Sequence, residues 1–203
     1  MRSKTMLIGS VLLSCALLVT GCAKPPQVEL DGLKANISAA EAAQADTYAS
    51  AELAAAREAQ NAVNAEVDAQ AKKFALFRSY KKTQELITDA NNKAKAAQEA
   101  AGANKAKAKT EAEAAVAAAQ TAVTGVQTAL TELEACRRKP KGFAEDLAQL
   151  KGRVDALAAG VSGLSSKIAS EDYLGAKSEA DSLASQATTL STDIAGAKTK
   201  IKC

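Results

Sequence analysis

Apolar positions recur at alternating spacings of three and four along most of this 203-residue chain, the period of an amphipathic helix. Leu30, Leu33, Ile37 and Ala40 form the first stripe. A break is expected over residues 46–50, with Ser50 as the N-cap of the next segment. Leu53, Ala56, Val63, Val67, Phe74 and Phe77 share the face of that segment. The period then slips, placing Tyr80 and Ile87 on a shifted stripe, so a turn is expected near Arg78 and Ser79, with a continuous helix as the alternative because no glycine or proline marks the place. Ile87, Ala90, Ala94, Ala97 and Ala101 lead to an expected helix stop at Gly102 and Asn104. Thr110 with Glu113 resembles a capping box. It precedes the most regular heptad, Ala112, Val116, Ala119, Val123, Val126, Leu130 and Leu133.

Pro140 separates this helix from a final pair. Leu147, Leu150, Val154, Leu157, Val161, Leu164 and Ile168 line the first of the pair. Ser170, Glu171 and Asp172 read as the start of the second, with the Ser170 hydroxyl as cap. Tyr173, Ala176, Ala180, Leu183, Ala187, Leu190, Ile194 and Ile201 form its buried face. The expected fold is all-α, an elongated antiparallel alanine-rich helical bundle with coiled-coil hairpins. Its expected divisions are a leader at 1–21, a tether at 22–29, a helical region at 30–101, the heptad helix at 102–139 and a hairpin at 140–203. A loose repeat relates the stretch from Tyr48 and Leu53 to Tyr80 with that from Phe143 and Leu147 to Tyr173, about 94 residues later. Duplication and the general likeness of alanine-rich hairpins both account for it.

Composition sharpens the fold and narrows the chemistry. There are 49 alanines, no tryptophan, 3% aromatic residues and 3 prolines, an alphabet that favours helix and offers a sheet little to pack. Histidine is absent, which removes the commonest general base and metal ligand. Nothing resembles a phosphate loop or a zinc set, so no catalytic, cofactor-binding or metal-binding residues are expected. The formal charge is +3, reduced to about +1 without Arg2 and Lys4, and it argues against nucleic acid as a partner.

Arg2 and Lys4 precede an apolar stretch at 6–19. As a helix it would span about 21 Å, short of the roughly 30 Å hydrocarbon core, which fits a cleaved signal. Leu18-Val19-Thr20-Gly21-Cys22 then resembles the lipobox of bacterial lipoproteins. That resemblance implies cleavage between Gly21 and Cys22 and a diacylglyceryl thioether on Cys22; the alternative is an ordinary secretory signal with an incidental cysteine. Ala23, where aspartate is missing, implies outer-membrane placement facing the periplasm. Pro25 and Pro26 begin an extended tether.

Once Cys15 leaves with the leader and Cys22 carries lipid, Cys136 and Cys203 remain. Matched antiparallel arms after Pro140 would bring Cys203 back to Cys136, and an exported chain meets an oxidising compartment. A structural disulfide is expected, with an intermolecular cross-link or free thiols as alternatives. Two basic clusters stand out: Lys72, Lys73, Arg78, Lys81 and Lys82, and then Lys105, Lys107 and Lys109. A solvated face or contact with an anionic membrane or wall polymer explains either. The aromatics Tyr48, Phe74, Phe77, Tyr80, Phe143 and Tyr173 fall near expected helix ends, where they are expected to plug turns, with an exposed partner-binding patch as the alternative.

Residues 28–101 resemble a helical family of bacterial envelope lipoproteins, domain-of-unknown-function 4398. The features are the lipobox and Lys-Pro-Pro start, Ile37 with its alanines, TYASAELAAAREAQ over residues 47–60, and the Tyr80 helix with regular alanines. The resemblance implies an envelope location and no particular activity. The expectation is a non-catalytic structural or adaptor lipoprotein, held to a membrane by N-terminal lipid, which binds an envelope protein or the cell wall. The alternative is a periplasmic chaperone or carrier for an apolar client.

Overall fold

The structure, a computed structural model, describes residues 24–203. The leader and the Gly21–Cys22 cleavage and lipidation sites lie outside the described residues. Six α-helices follow in order: α1 (Gln27–Ala42), α2 (Ala45–Tyr48), α3 (Ser50–Ala71), α4 (Lys81–Glu134), α5 (Phe143–Ala169) and α6 (Tyr173–Lys200). No strand occurs among the described residues, and the protein is an all-α helical bundle protein. It divides into two compact units, Met1–Ala103 and Asn104–Cys203, and α4 contributes to both.

In the first unit α1, α3 and the first part of α4 run up, down and up. Arg57 of α3 pairs with Glu41 near the end of α1 at 2.7 Å. At the opposite end Glu66 of α3 meets Lys82 of α4 at 2.8 Å. The Asn36 amide donates to Asn91 Oδ1 at 2.8 Å, which sets α1 parallel to α4. The seam joins Leu33, Ile37, Leu53, Val63 and Ile87 to small partners such as Ala40, Ala56, Ala90 and Ala94. Alanine buries less apolar area than leucine, so each contact stabilises this core by less.

The second unit repeats the topology with longer arms. Lys151 of α5 meets Glu134 at the end of α4, and Arg153 of α5 meets Asp193 of α6, so α5 runs antiparallel to both. Lys105–Glu171 and Lys198–Glu132, both at 2.6 Å, align α4 and α6 in parallel. Val123, Val126, Leu133, Val154, Leu157, Leu164, Leu190 and Ile194 form the core. In each unit a buried tyrosine stands at the start of the third helix, Tyr80 in the first and Tyr173 in the second.

Five local expectations are corrected. The stop at Gly102 and Asn104 is absent, because α4 runs through both and through Thr110, which is therefore no cap. Its Thr110 hydroxyl instead donates to the Ala106 carbonyl, one turn back. Ser50 is the first residue of α3 rather than its cap, and the preceding Ala49 makes no side-chain capping bond. Ser170 ends α5, where its hydroxyl donates to the Lys167 carbonyl, while Asp172 caps α6 by accepting from Gly175 N–H at 3.0 Å. The apolar face of α3 ends before Phe74 and Phe77, because the helix stops at Ala71.

Candidate functional site

The most distinctive surface is the connection between α3 and α4. The expected turn at Arg78 and Ser79 is present and broader, occupying residues 72–80 with a short 3-10 turn, Ala75–Phe77. Phe74, Leu76 and Phe77 are 70%, 71% and 75% exposed. That corrects the expectation that these phenylalanines plug the turn. Tyr80 and Tyr173 fulfil that role, since both are buried.

This connection is built rather than slack. The Arg78 guanidinium folds back, Nε donating to the Lys73 carbonyl and Nη2 to the Ala71 carbonyl, both at 2.9 Å. The Ala71 carbonyl is the last of α3, whose partial negative charge favours a cation there, and Lys73 lies just beyond it. Gln70 is buried, and its side-chain carbonyl accepts from Ser79 N–H at 3.1 Å while its amide donates to Glu66 at 2.7 Å. The Lys82 ammonium and then the Gln70 amide hold the Glu66 carboxyl below its ordinary value, and Glu66 holds the Lys82 ammonium above its own. The chain from α3 to α4 is thereby pinned on both sides of three outward-facing apolar side chains.

The charges around it are one-sided. Residues 69–84 contain five cations and no carboxylate. Arg78 and Lys82 are engaged as described; Lys72 and Lys81 form no salt bridge among the described residues, and Lys73 makes no direct ion pair but lies near enough to Glu66 to help lower its carboxyl. The other basic cluster differs: Lys105 meets Glu171, Lys107 meets Glu111 and Lys109 meets Glu113. Carboxylates supplied by its own helix and by the segment before α6 neutralise that face.

Cys136 and Cys203 are joined in a disulfide, with Cα atoms 5.5 Å apart, at the end of the second unit where α4 finishes and α6 returns. Two surface grooves flank that end. One of about 540 Å³ is lined by Leu133, Phe143, Leu147, Leu150, Gly196 and Ile201 together with Lys141, Asp146, Asp193 and Lys200. The other, about 510 Å³, runs past the disulfide beside Arg137, Arg138 and Lys202. Among the described residues no three or more Cys, Asp or Glu side chains are grouped to hold a metal ion. None of the described helices is long and apolar enough to cross a membrane.

Leu76 escaped the sequence reading, and the outward direction of both phenylalanines matches its alternative, an exposed patch, rather than its main expectation. The acid-free run between Lys72 and Lys82 was the available signal, since a buried turn rarely carries that many unpaired cations. No family model, curated protein or solved structure matches the chain.

Proposed function

We propose that this chain is a lipid-anchored, non-catalytic structural or adaptor lipoprotein of the bacterial envelope, which presents helical faces to an envelope partner from the outer membrane, in the periplasm. The run Leu18-Val19-Thr20-Gly21-Cys22, directly ahead of Lys24-Pro25-Pro26, carries the reading. Its small residues suit a peptidase at the backbone, and its thiol suits acylation. Burial of two or more acyl chains, at about 0.8 kcal/mol per CH₂, supplies stable anchoring. The resemblance of residues 28–101 to envelope lipoproteins favours the same conclusion. Two apolar helical cores, with ion pairs along the exposed helix faces, fit a scaffold.

Intact mass measurement of the native protein tests the anchor. The expected species begins at Cys22 and carries the added mass of a diacylglyceryl group, whereas Cys22→Ser removes that mass. A native chain that starts elsewhere without lipid overturns the reading.

The groove of about 540 Å³ beside Phe143 and Leu147 supports a second reading, a carrier of an apolar client. Its volume lies within the range of small-molecule sites, roughly 300–1,000 Å³. Crosslinking in cells separates the two: a scaffold is recovered with a defined envelope protein or wall fragment, and a carrier with small molecules or unfolded chains.

A further inference from the structure

The most exposed large apolar side chains among the described residues are Val28, Phe77, Leu76 and Phe74. All four occupy one end of the first unit. Asn36 and Asn91 are hydrogen-bonded partners on parallel helices, and Gln27 and Lys82 each lie nine residues before them. At equal rise per residue, α1 and α4 therefore begin at the same level. The end of α3 lies there too, because Glu66 pairs with Lys82. Val28 in the first turn of α1 thus shares an end with the 72–80 connection.

That end is also where the chain arrives from Cys22. Five peptide steps separate Cys22 from Gln27, a reach of at most about 18 Å when fully extended. We infer that Phe74, Leu76 and Phe77 enter the headgroup–acyl boundary of an anionic lipid bilayer, with Lys72, Lys73 and Lys81 against its phosphates. The inference deepens the proposed lipid anchoring by supplying a second contact with the same membrane.

Charge and form select a lipid surface as occupant. The apolar side chains project from a tight turn at a bundle end, with cations on both sides in the chain. Aromatic side chains beside lysines are the composition that interfacial binding uses. The nearest carboxylates along the chain are Glu66, Asp68 and Glu85, set back within α3 and α4, and Glu66 is already paired with Lys82. Glu29 stands in the first turn of α1 and is the one acidic side chain of that turn. The bonds from Arg78 and Gln70 hold the turn in its exposed form before any contact, so binding need not order it.

The absence of tryptophan makes the test direct. Phe77→Trp in the full chain introduces a single indole at an exposed position. Vesicles containing phosphatidylglycerol with brominated acyl chains are expected to shift its emission to the blue and quench it. Vesicles of phosphatidylcholine should do so far less at equal lipid. Leu174→Trp, 48% exposed in the second unit, serves as control and should remain open to acrylamide. On the Cys22→Ser chain, which carries no lipid, adding Phe74→Ser and Leu76→Ser should weaken partitioning to anionic vesicles at least about tenfold. An indole at position 77 that stays accessible to acrylamide and unquenched by bromolipid, on protein that has bound the vesicles, overturns the inference. So does a blue shift without vesicles that grows with protein concentration, which would mark a contact between copies. The same measurement on Cys22→Ser separates this inference from the anchor. Quenching on a chain whose native Cys22 lacks lipid leaves the loop contact standing and removes the anchor; an acylated chain with an unquenched indole does the reverse.

Discussion

At the residue scale, the turn between α5 and α6 shows how closely a local pattern can mislead. Ser170, Glu171 and Asp172 are all plausible starts for a helix, and only the backbone decides among them. Glu171 adopts φ of +61°, a left-handed conformation that ends α5 and leaves Asp172 as the last residue before α6. The Asp172 carboxylate then accepts from Gly175 N–H, and a Cβ at position 175 would collide with that carboxylate. Glycine at 175 therefore leaves room for the cap. Asp172→Ala is expected to destabilise the protein by about 1 kcal/mol, and Ser170→Ala by only a few tenths. Urea unfolding of both variants checks this; a larger loss for Ser170→Ala would restore the serine as cap.

At the element scale, the stripes were legible in the sequence and the places where helices end were less so. Ile87, Ala90, Ala94, Ala97 and Ala101 are all buried, as their spacing required. Ala108 and Ala112 continue that stripe past Gly102, so seam packing carries α4 through a residue costing about 1 kcal/mol relative to alanine. Phe74 and Phe77 failed in the other direction. They match the helical period of α3, yet the chain leaves that helix at Ala71, and no glycine or proline marks the exit. What marks it is tertiary: Arg78 reaching back to the carbonyls and Gln70 bonding across to Ser79. The Cys136–Cys203 pairing was legible because cysteine elimination and matched arm lengths converged on it.

The same connection has a pH signature with a definite sign. Lys82 and Gln70 lower the Glu66 carboxyl below its ordinary 4.5. The stabilisation from the charged form is therefore complete above that value and is lost as pH falls through the lower native one. The Ser79 amide resonance, one hydrogen bond from this cluster, should titrate with a midpoint below 4.5. Glu66→Gln should abolish the inflection while preserving a neutral partner for Gln70. A midpoint at or above the ordinary value would contradict the role given to Lys82.

At the scale of the whole molecule, the two units carry separate cores and unequal reinforcement. The first relies on an alanine-rich seam; the second has larger aliphatic residues and a disulfide across a sequence separation of 67. Closing so long a loop stabilises by about 4 kcal/mol on the chain-entropy model. Because Cys136 and Cys203 both belong to the second unit, the effect of reduction should be local. Hydrogen exchange after reduction is expected to show lost protection over residues 104–203, while α1, α3 and α4 up to about residue 103 keep theirs. Cys136→Ser with Cys203→Ser should reproduce that pattern without reductant. Equal loss in both units would mean that the molecule unfolds as one cooperative body, with α4 transmitting the loss from the second core to the first.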